Sequence, residues 1–283
     1  LQGIHIDTLP PLRDPMMIAG FDGWGNALDV STEMAEYLIR HFEATRFARL
    51  DTDAFFRYDG SRPVVNIQAG GLKSLRWPGG EFYGALTGSG KGDLLVLRSD
   101  EPTLCWRRFG EEVFELCHTL GVKTMVTLGS MYDHVLHSDR LISGMASTDA
   151  LSATLQASGV MPIYYQGPSA IHSLFQVEGP KQGFHCVSLW CHCPFYLENT
   201  VHFGLLSELG QLLAQLGGFE LDTTDLEEQW NQLRIRIQHL IEDNPKVGEV
   251  IEELKETQGG KTLAVKKEAV KDDKVIRLRD FLE

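Results

Sequence analysis

Over the first two-thirds of the chain, short apolar runs alternate with stretches whose apolar residues recur three and four positions apart. Runs at 16–21, 46–50, 64–69, 94–97, 122–128, 160–165 and 185–190 have strand length and are bounded by glycine, proline or aspartate, which predicts the strands of one sheet. Between them, Met34, Leu38 and Phe42 form one helical stripe, Trp106, Phe109, Val113, Leu116 and Leu120 a second, and Leu151 with Leu155 a third. Strands apolar throughout, separated by helices of this kind, predict a Rossmann-like, doubly wound α/β domain over residues 1–220. Its sheet is expected to be mainly parallel and covered on both faces.

Two stretches depart from that alternation. Residues 70–93, GGLKSLRWPGGEFYGALTGSGKGD, are too rich in glycine for a helix and read as a hairpin or flap between two strands. From 199 onward the pattern is helical. NTVHFGLLSELGQLLAQLGG predicts one helix stopped by its double glycine. Leu226, Trp230, Leu233, Ile237 and Leu240 then form a narrow seam that Val247, Ile251 and Leu254 resume beyond Asn244 and Pro245. Proline breaks the helical ladder, and Asn-Pro is a good cap and first-turn pair, so 221–257 reads as a helical hairpin whose seam packs on its own domain or on another subunit. Residues 258–283 carry mixed charge and few large apolar side chains, and read as a flexible tail.

A net charge of −13 argues against nucleic acid or an anionic membrane as partner, since both select basic surfaces. The sequence has neither an apolar run long enough to span a bilayer nor a signal peptide, so a soluble, cytoplasmic protein is expected. Five cysteines, odd in number and unevenly spread, do not make a disulfide framework.

Three stretches carry side chains capable of chemistry. The first apolar run enters a loop with Gly20, Asp22, Gly23, Trp24, Gly25 and Asn26 and then a helix, the geometry in which backbone amides hold an anion. The spacing is neither G-x-G-x-x-G nor a P-loop, so a tight turn is the simpler reading. TLGSMYDHVLHSDR, residues 127–140, gathers Ser130, Asp133, His134, His137 and Arg140 where a strand ends, the usual place for ligands in an open α/β sheet. Both loops are expected at the same carboxyl end. HCVSLWCHCP, residues 185–194, suggests a metal. Strand alternation, however, sends Cys191 and Cys193 to one face and Cys186 and His192 to the other, so no tetrahedral site is expected. Lys91 in SGKG lacks the rest of a phosphate loop. No metal and no cofactor are expected.

The order of the motifs is more specific than any one of them. GFDGWGNALDVS, EPTLCWRRFGEEV, GVKTMVTLGSMYDHVLHSDR, YYQGPSAIHSLF, SLWCHCPFYLENTVHFGLLSELGQLL and EDNPKVGEVIEELKE follow one another. This succession resembles the proteasome assembly chaperone family, in the branch of its second subunit with archaeal and bacterial relatives. The resemblance implies a Rossmann-like fold, similar to phosphorylase and hydrolase architectures, and a homo-oligomeric, non-enzymatic protein-interaction or assembly factor. In the archaeal relatives the resemblance brings in, the proteasome-docking tail is hydrophobic–tyrosine–any residue; Phe281 fits its first position, but Leu282 stands at the tyrosine position. The alternative is an ATP-grasp-like or phosphorylase/hydrolase-like enzyme acting on a small molecule at the two loops.

Overall fold

A computed structural model describes residues 1–197, 200–243, 248–249, 251–252 and 254–255. The strands are β1 (Ile4–Ile6), β2 (Met16–Asp22), β3 (Thr45–Leu50), β4 (Val64–Gln68), β5 (Gly71–Arg76), β6 (Gly80–Ala85), β7 (Leu94–Asp100), β8 (Thr124–Asp133), β9 (Ile142–Ala146), β10 (Met161–Pro162) and β11 (His185–Pro194). The helices are α1 (Val30–His41), α2 (Thr52–Phe55), α3 (Trp106–Leu120), α4 (Asp149–Ala157), α5 (His172–Glu178), α6 (Phe203–Gly217) and α7 (Thr224–Asp243). Nine strands form one sheet in the order β1-β3-β6-β7-β2-β8-β11-β9-β10.

The centre of that sheet, β7-β2-β8-β11, is parallel, and antiparallel strands extend it on both sides. Alternation along the central strands divides the side chains between two cores. Met16, Ile18, Leu94, Val96, Val126, Leu128, Val187 and Leu189 face α1, α4, α6 and α7. Met17, Ala19, Phe21, Leu95, Leu97 and Met125 face α3 and α5. Burial on both faces is the reason these strands read as unbroken apolar runs. Cys191 and Cys193 lie in the first core and Cys186 in the second, as strand alternation requires.

Several expectations change. The run at 64–69 is not a strand of the main sheet: β4 pairs only with β5, in a separate two-stranded hairpin whose strands are exposed throughout. The flap therefore lies earlier than 70–93, and the second half of that stretch supplies β6, which pairs antiparallel with β3 and β7. An Ala69-Gly70 turn with φ +50° and +76° closes the hairpin, the two left-handed positions that a tight two-residue connection needs. The run at 160–165 yields only Met161–Pro162, because Pro162 lies on the sheet edge and the chain then leaves it. β9 lacks a sequence signal: Ile142-Ser-Gly-Met-Ala is short and broken by glycine, and pairing with β11 makes it a strand.

The seam packs on its own chain. Leu226, Trp230, Leu233, Ile237, Ile251 and Leu254 are all buried in the core shared with α1 and α6. The side chain of Leu240, residues Asn244, Pro245 and Val247, and the tail at 258–283 lie outside the described residues. The helix expected to end at the double glycine does so, with Gly218 in the left-handed conformation at its C-cap. No helix among the described residues is long and apolar enough to cross a membrane.

Candidate functional site

At the carboxyl end of the parallel strands the two loops meet. Asn26 and Ser130 form a parallel bridge, the Ser130 amide donates to the Gly25 carbonyl at 2.8 Å, and Ser130 Oγ donates to the Ala27 carbonyl at 2.8 Å.

The glycine loop turns the chain and caps its own helix. Asn26 is buried, and its Oδ1 accepts from the Ser31 amide at 2.9 Å and the Thr32 amide at 3.4 Å. Those first-turn amides are the donors an anion would use at α1. Asn26 Nδ2 donates to Thr32 Oγ1 at 3.0 Å and to Asp22 Oδ1 at 3.2 Å. Gly20 is required by close approach, since a Cβ there would lie 2.4 Å from the Ser31 carbonyl oxygen. Ser31 joins helix to sheet, with Oγ accepting from the Phe21 amide and donating to the Leu128 carbonyl at 2.6 Å. Leu28 and Asp29 both have left-handed backbone, at φ +53° and +55°. For a branched residue such as Leu28 that conformation is strained by about 1–3 kcal/mol, and two in succession hold the loop tip in a fixed shape.

The polar residues of 130–140 take separate partners. Asp133, at the end of β8, accepts from His192 Nδ1 at 2.7 Å, and His192 Nε2 lies 2.9 Å from Ser143 Oγ. That hydrogen bond from His192 holds the Asp133 carboxyl below the usual carboxylate range. The carboxylate–imidazole–hydroxyl order is that of a nucleophilic triad, and sequence reading missed it because Ser143 and Asp133 lie 49 and 59 residues from His192. Ser143, however, is only 4% exposed and lies mid-strand between β11 and β10. The three residues fasten β8, β11 and β9 side by side.

His137 and Arg140 belong to the helical side. The His137 amide donates to Tyr196 Oη at 2.6 Å, its ring Nδ1 lies 2.9 Å from the same oxygen, and burial lowers its pKa. Its carbonyl is 3.0 Å from His202 Nε2, while His202 Nδ1 accepts from the Leu205 amide and caps α6. An Nδ1 that accepts must be unprotonated, so His202 is the neutral tautomer, and burial pushes its pKa down to about 4. Its ring stacks on Trp230 at 4.4 Å. Arg140 forks onto both Glu227 oxygens at 2.5 and 2.8 Å, tying the β8–β9 connection to α7. His134 is exposed, with its ring 5.3 Å from Phe195.

What remains open at this end is a cavity of about 560 Å³, lined by Gly23, Trp24, Asn26, Leu28, Asp29, Met131, Tyr132 and Val201 among others. Asp133, His134, His137 and Arg140 do not line it. Trp24 is 62% and Tyr132 50% exposed at its mouth. Asp29 in its lining interacts with Asp22 and Glu33, and burial first, then the neighbouring carboxylates, raises the pKa of Asp29 and of Glu33 against the opposing charges of Arg98 and, at Glu33, Arg40. Among the described residues, no group of three or more His, Cys, Asp or Glu is placed to hold a metal ion.

Residues 17–241 match the model of the PAC2 family. The chain belongs to the PAC2 family. A PAC2 family protein from Streptomyces avermitilis is 27% identical with a TM-score of 0.74, covering 84% of this chain and 100% of that one. The proteasome-assembly chaperone homologue of Mycobacterium tuberculosis is 24% identical with a TM-score of 0.75, over 83% of this chain and 99% of that one. PbaB of Pyrococcus furiosus, an archaeal proteasome activator, shares the fold at 17% identity and a TM-score of 0.64, over 84% of this chain and 97% of that one. No curated protein matches the chain. Membership of the PAC2 family bears out the resemblance read from the order of the motifs.

Proposed function

We propose that this PAC2-family chain is a non-enzymatic, homo-oligomeric protein-interaction or assembly factor of the cytoplasm, with the Trp24–Tyr132 cavity as its partner surface. One observation carries the reading: at the strand ends most polar side chains hydrogen-bond to one another, and the largest side chains exposed at the cavity mouth are aromatic. Asn26 caps α1, Asp133 holds His192, Arg140 holds Glu227 and His137 meets Tyr196, while Trp24 and Tyr132 are half exposed or more. Large exposed aromatic side chains around a recess are the usual anchors of protein contacts. The names of two relatives, a proteasome-assembly chaperone homologue and a proteasome activator, support the same direction.

The test places a photo-crosslinking amino acid at Trp24 and, as a control, at Val177, which is exposed on α5. A discrete protein adduct formed from position 24 and not from 177 is the expected result. Turnover of a small molecule that is lost in Asp133→Ala or His192→Ala overturns the reading in favour of an enzyme.

A further inference from the structure

The β4–β5 hairpin presents an apolar face that the α/β core leaves bare. Cross-strand register places Val65 opposite Leu75 and Ile67 opposite Leu72, so all four share a face. They are 51%, 43%, 61% and 64% exposed. A two-stranded ribbon is marginally stable alone in water, and monomers rarely leave so continuous an apolar patch uncovered. The ribbon is nonetheless fixed at its base: Trp77 packs on Tyr58 at 5.2 Å, Arg76 reaches Asp100 at 3.5 Å, and the Gly79 amide donates to Asp100 at 2.8 Å.

Charge identifies what covers it. Residues 57–77 contain Arg57, Arg62, Lys73 and Arg76 against the single acid Asp59, within a chain of net charge −13. Two hairpins laid against each other would juxtapose like charges, which disfavours a symmetric hairpin-to-hairpin contact. The Trp24–Tyr132 cavity has the opposite balance: its mixed polar and apolar lining includes Asp29, and the acids that interact there, Asp22, Asp29, Glu33 and Glu36, outnumber the neighbouring Arg40 and Arg98. Asp22 and Asp100 are paired on neighbouring strands, so hairpin and cavity rise from the same edge of the sheet. Within one copy the hairpin's apolar face is nevertheless bare.

We infer that the hairpin of one copy docks on the Trp24–Tyr132 cavity of a second, with Val65, Ile67, Leu72 and Leu75 against the aromatic mouth and Arg62 and Lys73 facing Asp29 and Glu33. This rests on the reading of the cavity as a partner surface and names the partner as a second copy of this chain. The contact is head-to-tail, since different patches meet, so it closes into a ring or continues as an open chain according to the rotation between copies.

The experiment uses light scattering and sedimentation on four forms of the full chain. They are the unmodified protein, a hairpin variant Arg62→Glu with Lys73→Glu, a cavity variant Asp29→Lys with Glu33→Lys, and a chain carrying all four changes. Circular dichroism checks that each is folded. The unmodified protein is expected to associate, and each two-site reversal to weaken association by about tenfold or more. The fourfold variant, its charges exchanged, is expected to return to within about threefold of the original. Association that survives both reversals overturns this contact and leaves the homo-oligomer standing. Association lost in the reversals and not restored in the fourfold variant also overturns the contact. An unmodified protein that is monomeric at micromolar concentration overturns both the contact and the oligomer.

Discussion

The α7 stripe and the β4–β5 hairpin each present four large apolar side chains on one face, and their fates are opposite. Leu226, Trp230, Leu233 and Ile237 are at most 8% exposed, because α1 and α6 lie under them. Val65, Ile67, Leu72 and Leu75 are at least 43% exposed, because the hairpin forms its own two-stranded sheet outside the nine-stranded one. A periodic apolar face states that something must cover it. It does not state whether that cover lies in the same chain. By its sequence the seam packs on its own domain or on another subunit, and the glycine-rich stretch reads as a hairpin or flap. The structure buries the seam in the chain's own core and leaves the apolar face of the flap exposed.

The difference is sharpest under substitution. Leu233→Asp with Ile237→Asp places two carboxylates where only apolar side chains meet, and is expected to cost about 4 kcal/mol or more. A fall in melting temperature without selective release of folded smaller species checks this. Release of folded monomers instead would move the stripe into the interface and erase the comparison.

Acid probes the same side of the molecule through His202. Its ordinary value is 6.5 and burial lowers it to about 4, so the unfolded chain binds the proton first as pH falls. Its contribution is fully present above pH 6.5 and is lost between there and pH 4, at about 1.4 kcal/mol per pH unit. His172, fully buried with Nε2 at 2.7 Å from the Leu128 carbonyl, adds a second loss over the same window. Urea midpoints at pH 7 and pH 5 measure the sum. In His202→Asn, which keeps an acceptor at the α6 cap, a smaller difference between the two midpoints is expected.

Asn26→Ala removes the acceptor for two α1 amides and is expected to cost about 1–2 kcal/mol. If added phosphate then raises the melting temperature of the variant but not of the original, the side chain was occupying an anion site. Smallest of all in stability is Ile67→Ser with Leu72→Ser on the hairpin, expected within about 0.5 kcal/mol in dilute solution because neither side chain is buried. The same pair is expected to reduce association. A large loss of stability together with unchanged association would show the hairpin to be covered by its own chain.

Much of this molecule was legible beforehand, at particular places. The apolar runs at 16–21, 94–97, 122–128 and 185–190 became the parallel centre of the sheet, since strands covered on both faces carry no polar alternation to confuse them with loops. The meeting of the glycine loop with residues 130–140 followed from both leaving parallel strands at the same end. The linkage of Asp133, His192 and Ser143 was not legible, nor was that of Arg140 with Glu227, because their partners lie 49 to 87 residues away.

The sequence by itself determined the alternation of strand and helix, the tight turns at glycine, the division of Cys186 from Cys191 and Cys193, and membership of the PAC2 family. These depend on local period and on the order of motifs, which a single chain records. Only the tertiary structure decided that the seam is core, that the run at 64–69 leaves the sheet, and that the polar cluster is divided among separate partners around an aromatic recess. Each of those depends on which surface meets which across long separations, where two apolar faces of equal period are equally attractive and packing alone selects between them.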